Sequence, residues 1–185
     1  MVDVDWARSI AGGLLETEQP RRWRHVCGVA ARTRVIGWSA SRWGELLPAS
    51  AWLHDIGYAS PLVDTGFHPI DGARHLRRLG GDERLVNLVA HHSCARVEAG
   101  LRDLGQILVE EFPRDDSLPH DELCFCDITT SPDGELVTVE DRLAEIRERY
   151  GLGHVVSRFV DLAEPELVAT VRRVEAELAS ADQPR

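Results

Sequence analysis

Five places in this chain carry side chains suited to holding metal ions: His25, the adjacent pair His54-Asp55, His68, the adjacent pair His91-His92, and Asp127. Together they offer about four histidines and two carboxylates, the donor set that two neighbouring octahedral ions sharing a bridging ligand require. The pair His54-Asp55 closes the apolar run Ala51-Trp52-Leu53, and burying polar groups there is costly unless something binds them. A metal ion is the simplest partner. Neighbouring helical residues point about 100° apart, so imidazole and carboxylate can flank one ion while the carboxylate reaches a second. Taken alone, the dipeptide equally fits a helix that ends at Gly57 with a dipole-complementing histidine and a solvated aspartate.

These residues need elements to bring them together. Pro20 suits the first turn of a helix running to about Ser41, on which Arg22, His25, Val26, Val29, Thr33 and Ile36 share one face. That sets His25 beside apolar residues, where a hydrogen-bonded core histidine is the plain alternative to a ligand. A helix starting near Leu46 or Pro48 carries His54-Asp55 at its end. Pro69 makes His68 extended, at a helix entrance. Asp82 is a good N-cap for ERLVNLVAHHSCA. There Leu85, Leu88, Val89 and His92 form one stripe while His91 is in step with Leu88, so periodicity does not choose between the histidines. The apolar stretch LCFCDITT delivers Asp127. Further helices are expected from Asp3 to about Glu18, over LRDLGQILVEEF, over VEDRLAEIRERYG behind a Thr138 capping box, and over PELVATVRRVEAELAS. Nothing reads as a sheet, so the fold is predominantly helical.

The 185 residues suit one domain, with a ligand-bearing core over about 20–130 and C-terminal helices over about 138–180. A hydrophobic fraction of 43% is ordinary for a globular protein, and no apolar run approaches the ~20 residues that span a bilayer. The start, MVDVDWARSI, lacks a basic region followed by a long apolar one, which leads to the expectation of a cytoplasmic location. A formal charge of −10 argues against nucleic acid or an anionic membrane as partner. All 21 basic residues are arginine, which removes lysine Schiff-base chemistry and the P-loop lysine. Cys27, Cys94, Cys124 and Cys126 form no CxxC pair and are expected to be reduced and packed as small hydrophobes, with a zinc site at Cys124 and Cys126 as the alternative.

The ordered set of histidines and aspartates resembles the HD-domain superfamily of metal-dependent phosphohydrolases over about Pro20 to Thr130, and SPDGELVTVEDRLAEIRERYG looks like a bacterial subgroup of it. The resemblance implies an all-α HD-domain bundle of about eight to ten helices. His25 would be the first ligand, His54-Asp55 the signature pair and Asp127 the last ligand; the two histidines added in dinuclear members match His68 and His91, with His92 also able to approach the metals. Asp55, with His54, would be central to catalysis, Asp55 bridging two divalent transition-metal ions that share a hydroxide nucleophile. Iron or manganese suits four histidines and two carboxylates better than tetrahedral zinc, with magnesium, nickel or cobalt as further candidates. The GYP tripeptide of cyclic-dinucleotide phosphodiesterases is absent: the chain continues HHSCARVEAG. A small, nucleotide-like phosphorylated substrate is expected; Arg74, Arg77 and Arg78 near His68 could hold its phosphate, with a solvated helix face as the plain alternative, and a homodimer is compatible with these features. Some relatives use the same ligands on a mixed-valent di-iron site to oxidise a small polyol or phosphonate, and ligand spacing does not separate that chemistry from hydrolysis.

Overall fold

The computed structural model describes residues 2–36 and 42–181. Helix α1 (Val4–Leu15) opens on Asp3, whose carboxylate accepts the Trp6 N–H. Helix α2 (Pro20–Arg32) starts on proline as expected but stops well short of Ser41. Thr33 donates its hydroxyl to the Ala30 carbonyl and the backbone tightens into a 3-10 turn, Thr33–Val35. The last part of the expected helix, residues 37–41, lies outside the described residues.

Helix α3 (Leu46–Leu53) sits at the centre. Its sequence LLPASAWL is nearly all apolar, and Leu46, Leu47, Ala49, Ser50, Ala51 and Leu53 are buried, the pattern of a helix enclosed by others. Around it pack α1, α2, α5 (Glu83–His91) and α8 (His120–Ile128). The end of α3, where His54 and Asp55 follow, is therefore inside the molecule rather than at its surface.

Two 3-10 turns, Ile56–Tyr58 and Ser60–Leu62, lead from there to α4 (His68–Arg78). Helix α4 lies against the first of them at glycine distance: a Cβ on Gly57 would stand 2.0 Å from the His68 carbonyl oxygen and 2.7 Å from the Gly72 nitrogen. This contact fixes His68 beside the end of α3. The extended residue before α4 is Phe67, one position earlier than Pro69 suggests, and His68 opens the helix.

Beyond α5 come α6 (Ala95–Leu101) and α7 (Gly105–Glu111). The expected helix over LRDLGQILVEEF is split because Asp103 takes a left-handed conformation, φ 60°, and Leu104 N–H closes back on the Ala99 carbonyl, a Schellman ending with aspartate in the usual glycine place. After α8, residues 129–137 turn back through a single antiparallel bridge, Thr130 to Leu136; among the described residues no strand forms. Helix α9 (Val139–Tyr150) begins at Thr138, whose Oγ1 accepts the Asp141 N–H. Helix α10 (Val155–Ala181) starts ten residues before Pro165, where the sequence pattern places its beginning. Burial of Ser157, Val160 and Ala163 outweighs the one N–H bond the proline forgoes. The architecture is all-α, and no described helix is long and apolar enough to cross a membrane.

Candidate metal centre

The end of α3, the start of α4, the end of α5 and the last turn of α8 converge, with His25 arriving from the middle of α2. Two groups result that could each hold a metal ion: His25, His54 and Asp127 in one, Asp55, His68 and His92 in the other, with the donor atoms of each group within 4.8 Å of one another. Asp55 lies between them. Its Oδ2 is 3.4 Å from His54 Nε2 and 3.8 Å from His25 Nε2, while its Oδ1 is 3.4 Å from His68 Nε2 and 4.0 Å from His92 Nε2. One carboxylate thus presents an oxygen to each group.

The hydrogen bonds around the rings decide which nitrogen faces inward. His25, His54 and His92 each place Nδ1 against a backbone carbonyl, of Ser131 at 3.0 Å, Ala51 at 2.8 Å and Val89 at 2.7 Å. A carbonyl only accepts, so each Nδ1 carries the proton and each Nε2 turns a lone pair to the centre. There His25 Nε2 meets Asp127 Oδ1 at 3.0 Å and His92 Nε2 meets His68 Nε2 at 3.1 Å. The fully buried His54 Nε2 has no hydrogen-bond partner among the described residues.

Lone pairs facing lone pairs need a cation or extra protons between them. Two donor atoms each about 2.1 Å from one ion and at right angles to each other lie about 3.0 Å apart, so the observed separations suit donors gathered round a metal. Protons are the alternative, and the electrostatics expose their cost. Burial opposes a charge on His54, but Asp55 and Asp127 overcome it and raise its pKa to about 9. Burial drives His68 and His92 the other way, well down for His68. Burial opposes ionisation of Asp55, yet Arg22 and His54 hold its carboxyl well below the usual range; His25 and His54 do the same for Asp127. Two buried carboxylates draw a proton onto a buried imidazole whose free nitrogen faces them, a place a divalent ion fills without that proton, and the residues present fit one ion in each group.

Residues behind these donors hold them in place. Ser93 donates its hydroxyl to Asp127 Oδ2. Tyr58 is stacked on the His68 ring at 4.0 Å between centroids, and the Arg22 guanidinium lies 3.9 Å from the centre of the Tyr58 ring. Arg22 Nη1 donates to Asp55 Oδ2 at 2.7 Å. Asp71, buried one turn into α4, accepts the backbone N–H groups of Asp64, Thr65 and Gly66. It ties down the loop before His68 and touches no donor.

Of the residues the sequence nominates, His25, His54, Asp55, His68, His92 and Asp127 come together, and His91 does not. Helix α5 ends at His91, and the next residues leave the helical path: Ser93 and Cys94 take φ 45° and 61°. That left-handed kink, strained for non-glycine residues, swings His92 to the centre. His91 turns away, and its Nε2 donates to the Phe112 carbonyl. No periodicity argument could separate two histidines across a break in the helix.

The arginines expected to meet phosphate are also elsewhere. Arg74 is paired with Glu111 and Asp64, Arg77 with Glu83, and Arg78 is exposed; none lines the cavity over the metal groups. Their spacing from His68 along α4 turns them to the outer face. The guanidiniums in that cavity belong to Arg22, Arg142 and Arg149, together with Tyr58, Glu98 and Tyr150. Arg22 had a signal, since it lies one turn before His25 on the same face. Arg142 and Arg149 had none short of knowing where α9 packs. The cysteines stay free, and among the described residues no candidate metal group contains one.

The HD domain family matches the sequence over residues 22–149. The chain belongs to the HD-domain family. The matched span starts at Arg22 and ends at Arg149, so it takes in all six converging residues and most of α9. Membership of this superfamily of metal-dependent hydrolases agrees with the histidine-aspartate clusters and with the helical architecture. No curated protein and no solved structure matches this HD domain.

Proposed function

We propose that this protein hydrolyses a phosphoester or phosphoanhydride of a small, nucleotide-like molecule at a two-metal centre. The observation that carries the proposal is Asp55, whose two oxygens face two separate donor groups at the floor of one cavity. His25, His54 and Asp127 would hold one ion, His68 and His92 the other, and Asp55 would serve both. Bound there, divalent iron or manganese supplies a hydroxide-like nucleophile at neutral pH and neutralises charge on the phosphoryl oxygens.

The chain's own residues prepare the site for this. The carbonyls of Ser131, Ala51 and Val89 lock three imidazoles in the tautomer that points Nε2 inward. Arg22 holds the Asp55 carboxylate from the cavity side and adds positive charge where an anionic substrate would arrive. Ile128, Ile146 and Phe159 give the same cavity an apolar wall, which limits the water that competes for the charged groups.

The same donors could serve oxygenation of a small polyol or phosphonate, and one experiment separates the two. Iron- or manganese-loaded protein is incubated with nucleotides, dinucleoside polyphosphates and sugar phosphates in sealed anaerobic and aerobic vials containing labelled water. Equal turnover in both vials, with solvent oxygen in the released phosphate, is expected. Turnover confined to the aerobic vial, with oxygen consumed in proportion to product, would replace hydrolysis by oxygenation.

A further inference from the structure

The cavity sets three arginines against the three carboxylates of Asp55, Glu98 and Asp127. A protein of net charge −10 places three guanidiniums, of Arg22, Arg142 and Arg149, in the wall of one cavity. Arg142 and Arg149 come from α9, seven residues and about two turns apart, so they point from one face. They share a single carboxylate: Glu145 accepts from Arg142 through Oε2 and from Arg149 through Oε1. One carboxylate serves both guanidiniums, and the other carboxylates of the cavity are engaged elsewhere, Asp55 by Arg22, Glu98 by Arg102, and Asp127 by His25 and Ser93.

Arg142 is the stronger clue. Its side chain is only 8% exposed, and its Nε–H, buried, has no partner among the described residues. An unmatched donor on a buried guanidinium is costly, and natural structures retain such a group where a ligand supplies the acceptor. Arg142 lies in the wall shared with Asp127 and His25, so an acceptor there would be part of whatever the metal groups act on.

We infer that Arg142 and Arg149, helped by Arg22, form an oxyanion-binding limb that takes a phosphate group of the substrate. The inference rests on the reading of the site as a phosphohydrolase centre and adds which residues recognise the substrate. Arg142 offers Nε–H, with Nη1 engaged by Glu145; the planar fork of arginine suits two oxygens of one phosphate. Glu145 holds both guanidiniums ready and competes with the ligand for them.

The test uses metal-loaded full-length protein and inorganic phosphate as probe, with affinity measured by titration calorimetry and metal content and helical circular dichroism checked for each variant. R142M and R149M are expected to weaken phosphate binding by about tenfold or more, the size of one or two charge-assisted hydrogen bonds. R142K should fall between R142M and the parent, since it keeps the charge and loses the fork. E145Q should bind phosphate more tightly, which a purely structural role for Arg142 would not produce. Should R142M lose its helical signal, R149M and E145Q decide. Equal phosphate affinity across the variants, or no phosphate binding by the parent, overturns the limb. Arginine-dependent phosphate binding without hydrolysis of any phosphorylated compound would leave the limb standing and remove the hydrolase reading. Hydrolysis with unchanged KM in R142M and R149M would do the reverse.

Discussion

Replacing the two adjacent histidines one at a time should give opposite phenotypes. In His92→Ala the group of Asp55, His68 and His92 loses one of its three donors, while the group of His25, His54 and Asp127 is untouched. Loss of the second ion should remove several kcal/mol of charge stabilisation from the transition state; about 4 kcal/mol corresponds to roughly a thousandfold in kcat/KM. Some stability is lost as well, because the Val89 carbonyl gives up the Nδ1 donor that ties the ring to the scaffold. In His91→Ala the donor groups stay intact, but the buried Phe112 carbonyl loses the Nε2 donor at 2.6 Å. An unsatisfied buried carbonyl plus the small void costs about 2–4 kcal/mol, or roughly 4–12 °C in Tm for a chain of this size. Metal analysis, activity and thermal melting of the two variants therefore form one assay with a crossed outcome. His92→Ala should hold about half the metal, lose nearly all activity and melt no higher than metal-depleted parent protein. His91→Ala should hold full metal and keep kcat/KM within about threefold when assayed well below its lowered Tm. The reverse pattern, with metal lost from His91→Ala and kept in His92→Ala, would refute the placement of the kink at Ser93 and Cys94.

Three more expectations follow from contacts around the centre. Gly57→Ala puts a methyl against the His68 carbonyl and Gly72 nitrogen; backbone cannot yield as a side chain would, so a loss of at least about 2 kcal/mol in stability is expected, checked by chemical denaturation, and an unchanged midpoint would contradict the close approach. Tyr58→Phe should retain activity and Tyr58→Ala lose about tenfold or more, because the ring and not the hydroxyl stacks on His68 and Arg22; equal losses in both variants would assign the effect to the hydroxyl. His120, outside the centre, is pushed down to about 4 by burial and then by Arg114. Between about pH 6.5 and pH 4 the unfolded chain binds a proton there that the folded chain refuses, so stability falls as pH falls, by up to about 3 kcal/mol from this group. His120→Gln should flatten that part of the stability curve, and parallel curves for variant and parent would remove His120 as its cause.

The fold was legible where local chemistry and tertiary packing agree. The Asp82 and Thr138 caps, the helix start at Asp3, the Pro20 start and the nearly all-apolar α3 all stand where propensity puts them. It was illegible where a tertiary contact overrides propensity. Asp103 breaks a helix in a conformation glycine would signal, and Pro165 sits inside a helix because neighbours bury the turn before it. The site followed the same rule. His54-Asp55 stood out as an apolar run ending in a polar pair, whereas His25 and Asp127 were ambiguous on their own elements and took their place from the resemblance to HD domains. The choice between His91 and His92 depended on two positive φ angles that serine and cysteine do not advertise. The cavity arginines depended on how α9 returns to the centre, more than a hundred residues after Arg22.

The central claim is that Asp55 joins two metal ions, and anomalous diffraction from crystals grown with iron or manganese tests it most directly. Data collected on either side of the metal's absorption edge should show two peaks roughly 3.5–4 Å apart, one against His25, His54 and Asp127, the other against His68 and His92, with Asp55 between them. A single peak at full metal loading, or two peaks with His91 against one of them, would contradict the account.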